Sequence, residues 1–251
     1  MATIPGGSFI VDTSNHAMLT GSAGDDQFFM SHNFNTASGG NGDDFFNLLG
    51  NHNSVDGGSG QDTILDGGHD NSLSGGAGND FIATYSSGHD SLLGGAGNDT
   101  LIAGGSHNFL SGGAGNDYLQ GGTGHDTLVG GDGQDTLHAG SGDETMIGGA
   151  GHTTMLSGAG NDTMIGGAGH DTFVFNSNGG QNVVMGFSHG DVLQIQQNIN
   201  GLSISSAADV AAHVQDHGGN AVITLGNETI TLVGVKAEDI HHNPSGYFTV
   251  H

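Results

Sequence analysis

The sequence has no Arg and a single Lys, Lys236, against 26 Asp and Glu, giving a formal charge of −25 with His neutral. One Lys cannot build a phosphate-binding surface, so nucleic acid is excluded as a partner. An anionic membrane surface is excluded for the same reason. There is no Cys, which rules out a disulfide framework and Cys-based zinc sites. Trp is absent, Pro occurs twice, and apolar residues make up only 33%. A chain this poor in apolar residues and this charged does not hold itself folded through a thick hydrophobic core. No run is long and apolar enough to span a membrane, so no membrane insertion is expected. The first 20 residues lack a basic start followed by an apolar run, so no Sec-type signal peptide is expected. The missing counter-charge must come from outside, and hard divalent cations are the natural source.

What is abundant is Gly, 51 of 251 residues, against about 7% in an average protein. The glycines are periodic. Gly-Gly-x-Gly-x-Asp-x-U-x, with U a large apolar residue, recurs every nine residues, about 17 times between Gly21 and Val174. Full matches to the first six positions begin at Gly39, Gly57, Gly75, Gly94, Gly112, Gly121, Gly130 and Gly166. One extra residue near Thr84 is the only slip.

Each position of the repeat has a physical reading. The glycines allow positive φ in a tight turn and leave carbonyls free to face an ion. The sixth-position Asp adds a carboxylate. The last three residues form a short strand with U pointing inward. The U positions run Phe28, Ala37, Phe46, Val55, Ile64, Leu73, Ile82, Leu92, Leu101, Leu110, Leu119, Leu128, Leu137, Met146, Met155, Met164 and Phe173. They predict a thin core between two sheets, with one apolar residue per strand.

These residues resemble the RTX, or haemolysin-type calcium-binding, nonapeptide-repeat family. The resemblance implies an all-β fold, a right-handed parallel β-roll with two repeats per coil. Alternate turns then stack on opposite edges, with calcium between stacked turns, held by Asp carboxylates and turn carbonyls. With strands about 4.8 Å apart, some 8 coils make a roll roughly 40 Å long. The expected organisation is a lead-in strand or cap over 1–20, the roll over 21–174, and a β-rich cap over 175–251.

Sorting by parity separates the two edges. The first carries Asp26, Asp44, Asp62, Asp80, Asp99, Asp117, Asp135, Thr153 and Asp171 at the sixth position. A continuous calcium file is expected there, weakened at Thr153. The turn carbonyls come from Gly39, Gly42, Gly57, Gly60, Gly75, Gly78, Gly94, Gly97, Gly112, Gly115, Gly130 and Gly133. The second edge reads Asn35, Asn53, Asn71, Asp90, Asn108, Asp126, Glu144 and Asp162. Its early turns have lost the glycine pattern, and stacked Asn can hydrogen-bond up the ladder. It is therefore expected to be calcium-poor early, with calcium returning from about Asp126. In all, roughly 8–10 calcium ions are expected.

His52, His89, His107 and His125 share the fifth position of second-edge turns. Three readings stand: solvated turn residues, a pH-sensitive ladder that repels itself when protonated, or ligands for a transition metal. Protonating all 16 His would take the formal charge from −25 to about −9.

After Val174 the frame ends. Strand-like stretches follow at 183–187, 191–195, 221–225 and 229–233, with a turn at Gly226-Asn227 and a short helix expected over 206–214. Gly186-Phe187-Ser188-His189-Gly190-Asp191-Val192, Gly226-Asn227-x-x-Ile230-Thr231-Leu232 and the tail Tyr247-Phe248-Thr249-Val250 resemble the C-terminal region of serralysin-type proteins exported by type I secretion. That resemblance implies an uncleaved signal, the type I machinery as partner and a secreted chain. A plain structural cap is the alternative.

No His-Glu-x-x-His and no Gly-x-Ser-x-Gly is present, so no enzymatic activity is expected. The expected role is a structural surface-layer, matrix or fibre-forming protein that folds on calcium and associates head to tail. The motive is the cluster Phe28, Phe29, Phe34, Phe45 and Phe46 in the first coils. A polysaccharide-binding module is the alternative, weakened for acidic sugars by the lack of cations. Ice binding through rows such as Thr127, Thr145 and Thr163 is a third.

Overall fold

The computed structural model describes residues 7–85, 88–177 and 179–251. Residues 1–6 of the lead-in, and 86 and 87 at the slip after Thr84, lie outside them. The chain divides into two units, Met1–Thr127 and Leu128–His251. Each is a parallel β-solenoid built from two sheets.

In unit 1, sheet A stacks Phe9–Val11, Gln27–Met30, Phe45–Leu48, Thr63–Asp66, Phe81–Thr84, Thr100–Ile102 and Tyr118–Gln120, in that order. Sheet B stacks Met18–Thr20, Thr36–Asn41, Ser54–Ser59, Ser72–Ala77, Ser91–Ala96 and Phe109–Ala114. Successive strands of a sheet are two repeats apart and pair in parallel, Phe28 with Phe46 and Phe46 with Ile64. The connectivity follows from the repeat. A strand ends in a glycine-rich turn, and the next strand must start on the opposite sheet.

In unit 2, sheet C stacks Thr136–His138, Thr154–Leu156, Thr172–Phe175, Val192–Ile195 and Phe248–Val250. Sheet D runs Thr127–Gly133, Thr145–Gly151, Thr163–Ala168, Gly180–Met185, Glu228–Leu232, Asn220–Leu225 and Val214–His217. Parallel stacking therefore continues past Val174, and only the last two pairings of sheet D are antiparallel. The short helices Ala207–Ala211 and Ala237–His242 lie in this part. The first is shorter than the expected 206–214, because the chain turns into a strand at Val214. No helix among the described residues is long and apolar enough to cross a membrane.

Every U residue from Phe28 to Phe173 is buried. Sheet A also turns a second residue inward, Met30 and Leu48 in the early coils, so the core there is thicker than one residue per strand. At the next coil this position holds Asp66, in register with Leu48. The early phenylalanines separate. Phe28 and Phe46 stack inside, with centroids 4.3 Å apart, while Phe29, Phe34 and Phe45 face solvent.

Candidate metal centre

The first-edge turns join sheet B to sheet A in unit 1, and each repeats the one before it at the backbone level. Gly58 has φ +112°, and a Cβ there would come within 2.2 Å of the Gly40 carbonyl. No L side chain fits both the conformation and the space.

The sixth-position aspartates are buried and linked in one direction. Asp26 N–H donates to Asp44 Oδ1 at 2.7 Å, Asp44 N–H to Asp62 Oδ1 at 2.7 Å, Asp62 N–H to Asp80 Oδ1 at 2.8 Å, Asp80 N–H to Asp99 Oδ1 at 2.8 Å and Asp99 N–H to Asp117 Oδ1 at 2.8 Å. One oxygen of each carboxylate is thus used by the neighbouring coil. The other is not: Oδ2 of Asp44, Asp62, Asp80 and Asp99 is buried without a hydrogen-bond partner.

These Oδ2 atoms share a second feature. The position where a side chain on Gly57 would begin lies 2.4 Å from Asp62 Oδ2 and 2.6 Å from the Gly75 carbonyl of the next coil. Beside Gly39 the pair is Asp44 Oδ2 and the Gly57 carbonyl, at 2.0 and 2.4 Å, and beside Gly94 it is Asp99 Oδ2 and the Gly112 carbonyl, at 2.3 and 2.6 Å. Two acceptors converge where no donor is available. Such a set fits a hard cation bound through oxygen and is costly without one. No cluster of three or more His, Asp or Glu side chains able to hold a metal occurs among the described residues. A cation must therefore take backbone carbonyls as well as carboxylates, which is why the glycines matter.

Burial pushes Asp44, Asp62 and Asp80 up to about 6, with the neighbouring aspartates of the row adding to it. Asp26 is different. Burial raises it, but hydrogen bonds from Ser22 and Ser8 outweigh that and leave it below the usual range. Its oxygens already have protein donors, so the donor-free oxygens begin at Asp44. In unit 2, Thr153 N–H donates to Asp171 Oδ1 at 2.9 Å, and Asp171 N–H donates to Asp191 Oδ1 at 2.8 Å. Asp171 Oδ2 has no partner, and the buried Thr153 hydroxyl supplies no charge. Asp191 extends the row beyond the last nonapeptide. Its signal was Asp191-Val192-Leu193, with Leu193 buried as a U residue would be.

The second edge keeps the ladder and changes the chemistry. Asn35 N–H donates to Asn53 Oδ1 at 2.8 Å, Asn53 N–H to Asn71 Oδ1 at 2.7 Å and Asn71 N–H to Asp90 Oδ1 at 2.9 Å. Where the aspartates present a second acceptor, Asn presents a donor. Asn35 Nδ2 donates to Asp12 Oδ2 at 2.8 Å and to the His32 carbonyl at 3.1 Å. Asn71 Nδ2 donates to Asp66 Oδ2 at 2.8 Å and the Gly50 carbonyl at 3.2 Å, and Asn108 Nδ2 to the Gly104 carbonyl at 2.9 Å. The amide thus satisfies turn carbonyls without a metal, although Asn53 Nδ2 finds no partner. Asp12 and Asp66, which the repeat frame did not single out, are the buried acids these amides serve.

Asp90 stands apart on this edge. Its Oδ2 has no partner, and burial pushes it up to about 7. Asp126, by contrast, accepts from Asn108 N–H and, at 3.0 Å, from Gly122 N–H. In unit 2, Asp162 Oδ2 is again without a partner.

The four histidines do not form one column. His89 and His107 stack with centroids 5.1 Å apart, and His107 meets His125 edge-on at 5.6 Å. His52 packs against Phe34 at 4.8 Å instead. The coil after His52 carries Asp70, whose carboxylate accepts from His69 Nδ1 at 2.6 Å. Phe34, His52, Asp70, His89 and His107 all have positive φ, between 57 and 65°. The second edge makes its turn at this fifth position with side chains that tolerate it poorly, and ring stacking offsets part of that cost.

The RTX calcium-binding nonapeptide repeat model matches residues 34–64, 49–82, 84–119, 120–155 and 153–184. The chain belongs to this family, and calcium binding goes with it. Among curated proteins none matches. Similar solved structures include a hyperactive, Ca2+-dependent, β-helical antifreeze protein from an Antarctic bacterium, at 21% identity, with 78% of this chain and 80% of that chain covered and a TM-score of 0.47. The R3 subunit of the Azotobacter vinelandii mannuronan C5-epimerase AlgE6 has 24% identity, covering 45% of this chain and 76% of that one, with a TM-score of 0.34. The extracellular lipase LipA from Serratia marcescens has 18% identity, covering 90% and 38%, with a TM-score of 0.37.

Proposed function

We propose that this chain is a secreted, non-catalytic structural protein that folds on binding several calcium ions outside the cell and then associates with copies of itself. The observation that carries the calcium-coupled part is the row of buried Asp Oδ2 atoms facing glycine carbonyls with no donor between them. The residues that would hold calcium are Asp44, Asp62, Asp80 and Asp99 in unit 1 and Asp171 in unit 2. The ion supplies the positive charge that lets coils stack, so its binding free energy becomes folding free energy. On the early second edge the Asn amides do this work, and calcium is not required there.

The association rests on the first described coil. Among the described residues Phe9–Val11 and Met18–Thr20 end their sheets, and Phe9 and Met18 are 57% and 86% exposed. An open strand edge of this kind takes another strand, and a second copy supplies one. Light scattering and electron microscopy with and without calcium test this: calcium-dependent dimers or fibres are expected, and a single-chain mass in saturating calcium sinks it.

Export by type I machinery is supported by the C-terminal resemblance alone. Appearance of the full chain in the medium of cells carrying such an exporter is expected, and its loss on deleting residues 226–251. Equal secretion of both chains removes this part of the proposal.

A further inference from the structure

The outward face of sheet A carries a periodic pattern that calcium does not explain. Phe9, Gln27, Phe45, Thr63, Phe81, Thr100 and Tyr118 stand in register from coil to coil. An aromatic ring occupies every second coil, and an amide or hydroxyl side chain occupies each coil between. The position immediately precedes U. Sheet B has Met18, Thr36, Ser54, Ser72, Ser91 and Phe109 there, in register, so hydroxyl side chains fill four of its six coils. Sheet C of unit 2 has Thr136, Thr154 and Thr172. Hydroxyl residues therefore suffice for the strand, and the rings are additions to it.

The rings are not absorbed by the core. Phe45 and Tyr118 are each 36% exposed. The adjacent column reads Val11, Phe29, Asn47, Leu65, Ala83, Ile102 and Gln120, with Ala83 buried. After Val11, its large apolar side chains, Phe29, Leu65 and Ile102, fall on the coils where the first column is polar. Tyr118 Oη donates to Gln120 Oε1 at 3.1 Å, tying the ring to the second column. A regular exposed apolar row of this kind marks a contact surface.

We propose that this face binds a flat, neutral, β-1,4-linked polysaccharide of the cellulose or chitin class, lying along the direction in which the strands stack. Rings on alternate coils are two strand spacings apart, about 10 Å. That matches one disaccharide unit of an extended β-1,4-linked chain. Successive sugars in such a chain are turned over, so every second sugar presents the same apolar C–H face to a ring. Gln27, Thr63 and Thr100 meet the hydroxyls of the sugars between. With a formal charge of −25 and no Arg, the protein repels uronates and sulfated glycans. The surface does not depend on whether the chain self-associates.

The test uses the full chain in saturating calcium, with its fold checked by circular dichroism. Titration with cellohexaose and chitohexaose, and retention on microcrystalline cellulose, are expected to show binding. Maltohexaose, whose α-linked chain curls, and polymannuronate are not expected to bind. Phe45→Thr and Tyr118→Thr install the residue type that other coils carry, so the fold is retained. Each should weaken binding about tenfold, and together they should abolish retention. The proposal is overturned if the folded chain binds neither hexasaccharide nor cellulose, if the variants bind like the parent, or if polymannuronate binds better. Dimerisation that the same variants abolish would also overturn it, by assigning the face to a second protein copy.

Discussion

Excess chelator at pH ~7 should abolish the far-UV strand signal, and lowering the same calcium-free sample to pH ~4 should restore part of it. Asp44, Asp62 and Asp80 are raised to about 6 in the folded chain, and Asp90 to about 7, from an ordinary 3.8. The folded state therefore holds these protons more tightly than the unfolded one. Below 3.8 both states are protonated and the groups cost the fold nothing. As the pH climbs from there to about 6–7 the unfolded chain ionises first, and the penalty on the metal-free fold grows until it is complete. Calcium removes the penalty by stabilising the ionised form, so its affinity should fall as the pH drops through the same window. An unchanged strand signal in chelator at neutral pH would contradict this account, as would a metal-free chain that loses further structure steadily on going down to pH ~4.

Gly57→Ala should remove one calcium site and destabilise the calcium-loaded chain by about 1–3 kcal/mol through overpacking, with loss of that ion's binding in addition. Strain is not the reason, because the effect is spatial: the added methyl would sit 2.4 Å from Asp62 Oδ2 and 2.6 Å from the Gly75 carbonyl. The carboxylate is held in place by Asp44 N–H. Ser59→Ala, at an exposed position of the same turn, should stay within about 0.5 kcal/mol. Calorimetric calcium counts and urea midpoints in saturating calcium read both effects. Equal counts and midpoints for Gly57→Ala and the parent would show that the ion does not use this space.

The nine-residue period made much of this readable without coordinates. A strict period places every U residue on one face and every sixth-position side chain on one row, and all the U residues are buried. What escaped had a different period or none. The aromatic column on sheet A recurs at every fourth repeat, Phe9, Phe45 and Phe81, and a nine-residue frame reads it as scatter among Ser and Thr. Asp12 and Asp66 sit at a position that glycine or an apolar residue usually fills, so nothing marked them as partners for Asn35 and Asn71. Asp191 and Glu228 lie outside the repeats. Glu228 is buried, is pushed up to about 7 by that burial, and accepts from Asn182 and Asn200, side chains far from it in sequence. The separation of Asn from Asp at the sixth position was visible as charge. Its meaning, a donor in place of a second acceptor, needed the turn carbonyls.

The one-way ladder has a consequence for the order in which coils can be laid down. From Asp26 to Asp80, each buried sixth-position N–H of the first edge is satisfied by the carboxylate of the coil that follows it in sequence. A growing stack that lacks its next C-terminal coil carries an unmet buried amide at its leading face. On this buried row, one that lacks its preceding coil carries a carboxylate oxygen instead, whereas the exposed fifth-position row runs the other way, with Asp43 N–H donating to Asp25 Oδ1 at 2.9 Å. On the buried row, growth towards the N-terminus therefore leaves no sixth-position amide unmet, and growth towards the C-terminus does. In unit 2 the row closes on Asp191, whose other oxygen accepts from Ser188 N–H at 2.6 Å inside its own loop. That loop needs no further coil to be complete, so it is the place in unit 2 from which ordering can start and run backward along the chain.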